Sequence, residues 1–393
     1  MTIENIFVNG VLCRVSLHDD GIIDAIDEVP IEGKDLDEMG FVLPGLVNMH
    51  THSAMTLMRS AGSGLPLRRW LNEAIFPREA KLTPADIYRG ALEACNEMRE
   101  SGTVAFNDMY FSIESTMRAA VETGMFANVA LSVTDRDFDD PELISNYLKT
   151  IEKNSLKGIT SSIAPHAIYT VSGKHLQYLA DFAKEHGTLF HIHISETQKE
   201  REDCLKEYGI PVVRYLERLG IFDKVGDRFV GAHALWLDED EMEILGSHHV
   251  TVVHCPNSNL KLGSGCRFLY TELLDAGVNV TLGTDGCASS DNLDMVEAMK
   301  VMSLLQKGWR GDPSVLPVEE VLQVATTNGY RALGLQGMEI KTGNRFNASL
   351  VSLKNRIFKG IDLVDSTPAE RQREFLNRLI YAGTGRLVGK HDS

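Results

Sequence analysis

The sequence predicts an α/β fold: a (β/α)8 TIM barrel carrying a small β-sandwich module built from the N-terminal and C-terminal segments. Three observations predict it. Eight short apolar runs alternate with amphipathic stretches of helical period across residues 44–343. Histidines and an aspartate recur at the ends of those runs, where a barrel gathers its working side chains. Segments 1–43 and 344–364, which are rich in β-type residues and turn signals, bracket the alternating region, so the chain leaves a small module, builds the barrel and returns.

In chain order, the first segment offers β-type runs at Ile6–Val8, Val11–Val15 and Gly21–Ile26, separated by Asn-Gly and Asp-Asp-Gly turn signals. Barrel strands are expected at Leu46–Met49, Val104–Asn107, Phe126–Val133, Ile159–Ala164, Thr188–Ile194, Arg228–Ala232, Val250–His254 and Asn279–Gly283. Between them, helical periodicity marks Pro84–Ser101, Ser112–Gly124, Gly173–Gly187 and Pro211–Leu219. The run Ala348–Leu353 is again β-like, and residues 365–393 read as a helix, Pro368–Tyr381, and a tail.

Composition narrows the function. Of 393 residues, 43% are hydrophobic and 24% charged, which excludes collagen-like, low-complexity and mostly disordered classes. Acidic residues outnumber basic ones 55 to 39, for a net charge of −16, and no basic run occurs, so nucleic acid and anionic membrane are not expected partners. The six cysteines are scattered without a CxxC pair, which argues against a thiolate zinc site and for a reducing compartment. No basic flank precedes a long apolar N-terminal stretch, and no run approaches 18 apolar residues, so a cytoplasmic protein is expected. A homo-oligomer, dimer or tetramer, is the expected assembly.

The chemistry gathers at strand ends. His50 and His52 close the first barrel strand in PGLVNMHTHS, and the two-residue period of a strand sends both imidazoles to one side. A lone histidine there would read as a structural residue, but a His-x-His pair ending the first strand reads as a chelate. His193, His233 and Asp285 end three further strands. Imidazoles with one carboxylate suit one divalent metal, zinc or ferrous iron, with a coordination position left for water. His191 shares the face of His193 but lies deeper, and reads as barrel filling. His254, before Cys255-Pro256, either supports the site or packs there.

The stretches PGLVNMHTHSAMTLMRS, FNDMYF, APHAIYTVS, HIHISET, HCPNSNLKLGSG and VTLGTDGCASSDNLDM resemble the amidohydrolase superfamily over nearly the whole chain. Within it they look most like the mononuclear aminohydrolases that deaminate 5′-deoxyadenosine, 5′-methylthioadenosine and S-adenosylhomocysteine. The resemblance implies His50, His52, His193 and Asp285 as metal ligands. Glu196, His233 and Asp285 would be catalytic, and Glu79, His166 and Trp70, together with Glu196 and Asp285, would contact the nucleoside. Binuclear members carry a lysine at the end of the fourth strand; SIAPHAIYT has none, so one metal is implied.

The residue types fit that chemistry. Asp285 can take the proton of an activated water, His233 can hold that water as it adds, and Glu196 can protonate the ring nitrogen beside the attacked carbon. Glu196 alternatively reads as a loop acid or helix cap, Glu79 as a surface acid and Trp70 as a packing residue. Guanine, cytosine or triazine would serve as alternative substrates for the same metal set. Where relatives favouring S-adenosylhomocysteine would offer arginines after the third strand, this chain has Leu131 and an acid-rich run, Asp135, Asp137, Asp139 and Asp140 around Arg136. If that run overhangs the 5′ end of the nucleoside, a small uncharged substituent is favoured.

Overall fold

A computed structural model describes residues 1–35, 38–154 and 156–388. The last five positions of segment 365–393, and residues 36 and 37 of the first segment, lie outside the described residues. Strands β1 (Thr2–Val8), β2 (Val11–Leu17), β3 (Ile23–Glu28) and β4 (Gly40–Pro44) precede the barrel. The barrel strands are β5 (Leu46–Thr51), β6 (Thr103–Tyr110), β7 (Phe126–Val133), β8 (Ile159–Pro165), β9 (Phe190–Ile194), β10 (Phe229–His233), β11 (Thr251–His254) and β12 (Asn279–Leu282), and β13 (Ala348–Ser352) follows.

The small module is a mixed five-stranded sheet in the order β13-β4-β1-β2-β3. Its first hairpin turns on Asn9 and Gly10, both at positive φ (50° and 78°), the backbone that a two-residue turn between right-twisted strands requires. Gly10 is needed twice over, because a Cβ there would lie 1.9 Å from the Pro368 carbonyl oxygen. That proline opens the helix Pro368–Ala382, which lies on the sheet: the Phe7 ring stacks on Phe41 at 4.6 Å, and Phe41 on Phe375 at 4.2 Å. The returning strand β13 pairs antiparallel with β4 from Ala348↔Pro44 to Ser352↔Gly40, so the module and the first barrel strand are held by one stretch of chain.

The second sheet holds β5 to β12 in sequence order, all parallel, with helices between them. The eight strands match the eight expected apolar runs, and β7 matches to the residue. The seam between β12 and β5 is closed just past the strand ends, where the Asp285 N–H donates to the His50 carbonyl at 2.9 Å and the Thr284 N–H to Asn48 Oδ1 at 3.0 Å. Gly283 permits that approach: a Cβ on it would sit 2.8 Å from both the nitrogen and the oxygen of His50. The ends of β5 and β12 are thereby locked to one another. Among the described residues no helix is long and apolar enough to cross a membrane.

Candidate active site

The side chains at the C-terminal rim converge because successive parallel strands end at one level. His50 and His52 come from β5, His193 from β9, His233 from the last position of β10, and Asp285 from the turn after β12. Turn geometry aims them inward: Ser195, His233, Ala234 and Asp285 all take positive φ (46°, 74°, 48° and 61°), a conformation that non-glycine residues hold only when their surroundings enforce it. The single donor atoms of His50, His52 and His193, and those of His50, His233 and Asp285, each form a group whose members lie within 4.8 Å of one another.

Hydrogen bonds on the far side of each ring fix which nitrogen faces the cluster. His52 Nδ1 donates to the Met109 carbonyl at 2.6 Å and His193 Nδ1 to the His166 carbonyl at 2.7 Å, leaving both Nε2 lone pairs inward. His50 Nδ1 lies 3.0 Å from His191 Nε2, while His50 Nε2 is buried and unpartnered, 3.6 Å from Asp285 Oδ1. His52 Nε2 approaches the same oxygen at 3.2 Å. An unpartnered buried nitrogen costs free energy unless something accepts its lone pair, and a divalent cation does so. Two imidazole nitrogens against one carboxylate oxygen, with His193 grouped beside both histidines, fit such an ion.

Electrostatics separate the two carboxylates. Burial opposes the charge on Asp285, but hydrogen bonding to His50 and His52 outweighs it and holds the carboxyl well below its ordinary range. Glu196, 4% exposed, is pushed up to about 8 by burial and then by the charge of Asp285. Burial lowers His50 and His233 to about 4 and His166 to about 3, so all three are neutral at pH 7. For His52 burial is again the largest influence, but the Asp285 contact more than offsets it and leaves the ring raised to about 9, so without a bound cation its Nε2 carries a proton toward Asp285, and a cation would displace that proton.

The expected nucleoside contacts divide. His166 lies against the cluster, its ring centroid 4.9 Å from that of His193 and its Nδ1 2.9 Å from Thr170 Oγ1. Glu79 faces Tyr110 and His52, and burial raises its carboxyl against their opposing pull. Trp70 is not brought to the cluster: it is 5% exposed, packed with Met55, Met58 and Ala74, and its indole N–H is taken by the Ala61 carbonyl at 2.8 Å. The large apolar ring finds its complement in that satellite core, so its role there is to hold the segment leading to Glu79. His191 does fill the barrel, but its polar contacts reach His50 and, at 3.2 Å, the Asn107 amide. His254 stacks on Phe268 at 4.2 Å and packs.

The carboxylates of the acid-rich run have local partners. Asp135 accepts from the Ser172 N–H (2.8 Å) and His175 Nδ1 (2.7 Å), Asp137 from the Thr134 N–H (2.7 Å), and Asp140 from the Glu142 and Leu143 N–H groups (both 3.1 Å). These carboxylates cap turns and helix starts, where free amide hydrogens draw them. Leu131 is fully buried in β7. Sequence reasoning missed the partners that hold the reacting side chains: Ser258 on Asp285, Asn259 on His233, Ser264 on Glu196, and Asp108, which accepts the Ser53 N–H at 2.7 Å beside His52. Their signal was their place in the stretches HCPNSNLKLGSG and FNDMYF, just past or at strand ends, without a role attached to them.

A barrel with these donors at its carboxyl rim defines the class, a metal-dependent hydrolase of the amidohydrolase type. The amidohydrolase family model matches residues 41–377, and the chain belongs to that family. Among its relatives, a 5-methylthioadenosine/S-adenosylhomocysteine deaminase of Archaeoglobus fulgidus is 41% identical over 352 residues, 85% of this chain and 82% of that protein. A 5′-deoxyadenosine deaminase of Methanospirillum hungatei is 42% identical over 328 residues, covering 81% and 72%. The crystal structure of an adenosine deaminase from Xanthomonas campestris with bound zinc superposes with a TM-score of 0.84 at 30% identity, covering 96% of this chain and 85% of that one.

Proposed function

We propose that this chain hydrolytically deaminates an adenine nucleoside with a modified 5′ position, giving the inosine analogue and ammonia, with 5′-deoxyadenosine and 5′-methylthioadenosine as the foremost substrates and S-adenosylhomocysteine and adenosine as further ones. The observation that carries the reading is the convergence, in one buried cluster, of Asp285 and inward imidazole nitrogens, with the buried Glu196 carboxyl 3.8 Å from His233 Nε2. The deaminase relatives at about 40% identity support it.

His50, His52, His193 and Asp285 would hold one divalent ion, zinc by the likeness to the zinc-bound neighbour and by a donor set of imidazoles and one carboxylate. When bound, the ion supplies Lewis acidity that brings the pKa of a water from about 16 toward 7. Asp285 would take the proton that the attacking water gives up. His233 is distinguished from the ligand histidines by its partner: the Asn259 amide nitrogen donates to Nδ1 at 2.9 Å, so the ring proton is on Nε2 and is available to hold the attacking oxygen against the ring carbon. Glu196 would deliver its proton to the ring nitrogen adjacent to that carbon, where it stays in the product; the proton held by Asp285 would pass to the amino group, which leaves as ammonia, and the proton of the added hydroxyl would return to Glu196 as the carbonyl forms.

Around the base and sugar, the partly buried Glu79 carboxylate would accept two hydrogen bonds from the ribose 2′,3′-diol, and His166 would face the nucleoside from β8. An ammonia-release assay across 5′-deoxyadenosine, 5′-methylthioadenosine, S-adenosylhomocysteine, adenosine, guanine and cytosine tests the reading. Turnover of the 5′-modified nucleosides with little from the free bases is the expected result. Preferred turnover of guanine or cytosine would overturn it.

A further inference from the structure

One short stretch of chain past β11 touches every group to which the deamination reading gives a reacting role, and the inference below rests on that reading. Ser258 Oγ donates to Asp285 Oδ2 at 2.6 Å, the Asn259 amide nitrogen donates to His233 Nδ1 at 2.9 Å, and Ser264 Oγ donates to Glu196 Oε1 at 3.0 Å. All three side chains are buried, at 0%, 1% and 5% exposure, so these contacts are not diluted by solvent.

Each contact selects an atom. Ser258 occupies Oδ2 and leaves Oδ1 turned to His50 and His52. Asn259 places the His233 proton on Nε2, the nitrogen 3.8 Å from Glu196 Oε2. Ser264 donates to Oε1, so the carboxyl proton of Glu196 belongs on Oε2, the oxygen that faces His233 and the cluster. The stretch is itself fixed. The Asn259 N–H donates to the Cys255 carbonyl at 3.0 Å, the Ser264 N–H to the Asn259 carbonyl at 2.9 Å, and the Trp236 indole N–H to the Ser264 carbonyl at 2.8 Å. Glu200 completes the hold from behind, accepting the Glu196 N–H at 2.8 Å.

We propose that Ser258, Asn259 and Ser264 form a single positioning element that sets the reactive atom of the proton acceptor, the water-holding imidazole and the proton donor together. None of the three is a catalytic residue; each acts through its partner, and the partners differ, so the three variants should fail in different ways. Ser264→Ala should lower kcat at least tenfold with KM within threefold and metal content unchanged, and Ser264→Thr, which keeps the hydroxyl, should recover most of the loss. In a Glu196→Gln background Ser264→Ala should cost less than twofold more, because the group it acts through is gone. Ser258→Ala should instead weaken zinc binding, measured by chelator competition, by about tenfold. Asn259→Leu should shift the His233 ring in nitrogen-15 NMR of the metal-loaded protein from a proton on Nε2 toward a mixture of tautomers.

The zinc titration and the NMR measurement do not depend on turnover, so they judge this inference even if the wild type releases no ammonia from any nucleoside, a result that would sink the deaminase reading alone. Equal losses of activity in all three variants, with Ser264→Ala costing the same factor in wild-type and Glu196→Gln backgrounds, would overturn the inference. So would unchanged zinc affinity in Ser258→Ala together with an unchanged His233 spectrum in Asn259→Leu.

Discussion

Replacing Gly283 by alanine tests whether the seam of the barrel sets the geometry of the metal ligands. The new Cβ would lie 2.8 Å from the backbone nitrogen and oxygen of His50 and 3.0 Å from its Cβ, about 0.6 Å inside ordinary contact with the backbone. Backbone cannot rotate away as a flexible side chain would, so β5 and β12 must part. The same seam carries the hydrogen bond from the Asp285 N–H to the His50 carbonyl, so both ligands move together. Metal–ligand distances tolerate about 0.2 Å, so a shift of this size should lower metal affinity roughly tenfold to a hundredfold. Overpacking alone should destabilise the metal-free protein by about 1–3 kcal/mol. Chelator competition and thermal unfolding of both forms separate the two effects: the melting temperature should fall in each, and further in the metal-loaded form. A Gly283→Ala protein that binds zinc within twofold of the wild type would refute the claim that seam and ligands are coupled.

Removing the metal with a chelator should abolish turnover yet leave far-ultraviolet circular dichroism nearly unchanged, since a barrel core of this size does not depend on one ion. Glu79→Gln should raise KM for nucleosides by one to two orders of magnitude, from the loss of about 1.5–3 kcal/mol in charge-assisted hydrogen bonds, and should not alter the low activity toward 2′,3′-dideoxy analogues. Asp137→Asn with Asp139→Asn should leave the ratio of kcat/KM for S-adenosylhomocysteine and 5′-deoxyadenosine unchanged, because Asp137 is engaged with Thr134; a selective rise for S-adenosylhomocysteine, larger at low salt, would return that run to the pocket. Glu200 is raised to about 8 from 4.5 by burial, so between those values the folded state keeps a proton that the unfolded state has released. Stability should therefore fall as pH rises through that window, and Glu200→Gln should flatten the decline; an equally steep melting-temperature profile in the variant would show that another group carries it.

The barrel was legible because parallel strands covered on both faces must be continuously apolar, and runs such as FANVALSV have no other comfortable home. The convergence of His50, His52, His193, His233 and Asp285 was legible for a related reason: they stand at strand ends, whose register the apolar runs define. What escaped lies in the segments between the strands. Whether the carboxylates of Asp135, Asp137 and Asp140 meet a ligand or an amide hydrogen depends on which helix start the chain brings to them, and here each found a cap. Trp70 escaped similarly, since its indole serves a pocket wall and a buried cluster equally well, and only the Ala61 carbonyl decides. Ser258, Asn259 and Ser264 carry no chemistry of their own, so residue type cannot single them out before the partners are in place.

The division of labour between Asp285 and Glu196 follows from their surroundings alone. Both are buried carboxyl groups, and burial by itself would keep both protonated. Asp285 escapes because the Ser258 hydroxyl donates to Oδ2 and the Gly286 N–H to Oδ1, with the His50 and His52 rings beside Oδ1, so its charge is solvated by protein in place of water. Glu196 has a single side-chain donor, Ser264, and it feels the charge that Asp285 retains. Ionising the first therefore suppresses ionisation of the second. Hydrolytic deamination asks for this pair of states at the outset, one group to receive the water's proton and one to give a proton to the ring. Their exchange over the cycle is conservative, because the proton that Asp285 takes leaves with ammonia and the second proton of the water replaces the one that Glu196 gives to the ring. A site with two equally solvated carboxylates would lack the donor, and one with two equally buried ones would lack the acceptor. The asymmetry of hydrogen-bond donors around these two side chains is thus the feature of the fold on which the proposed reaction depends.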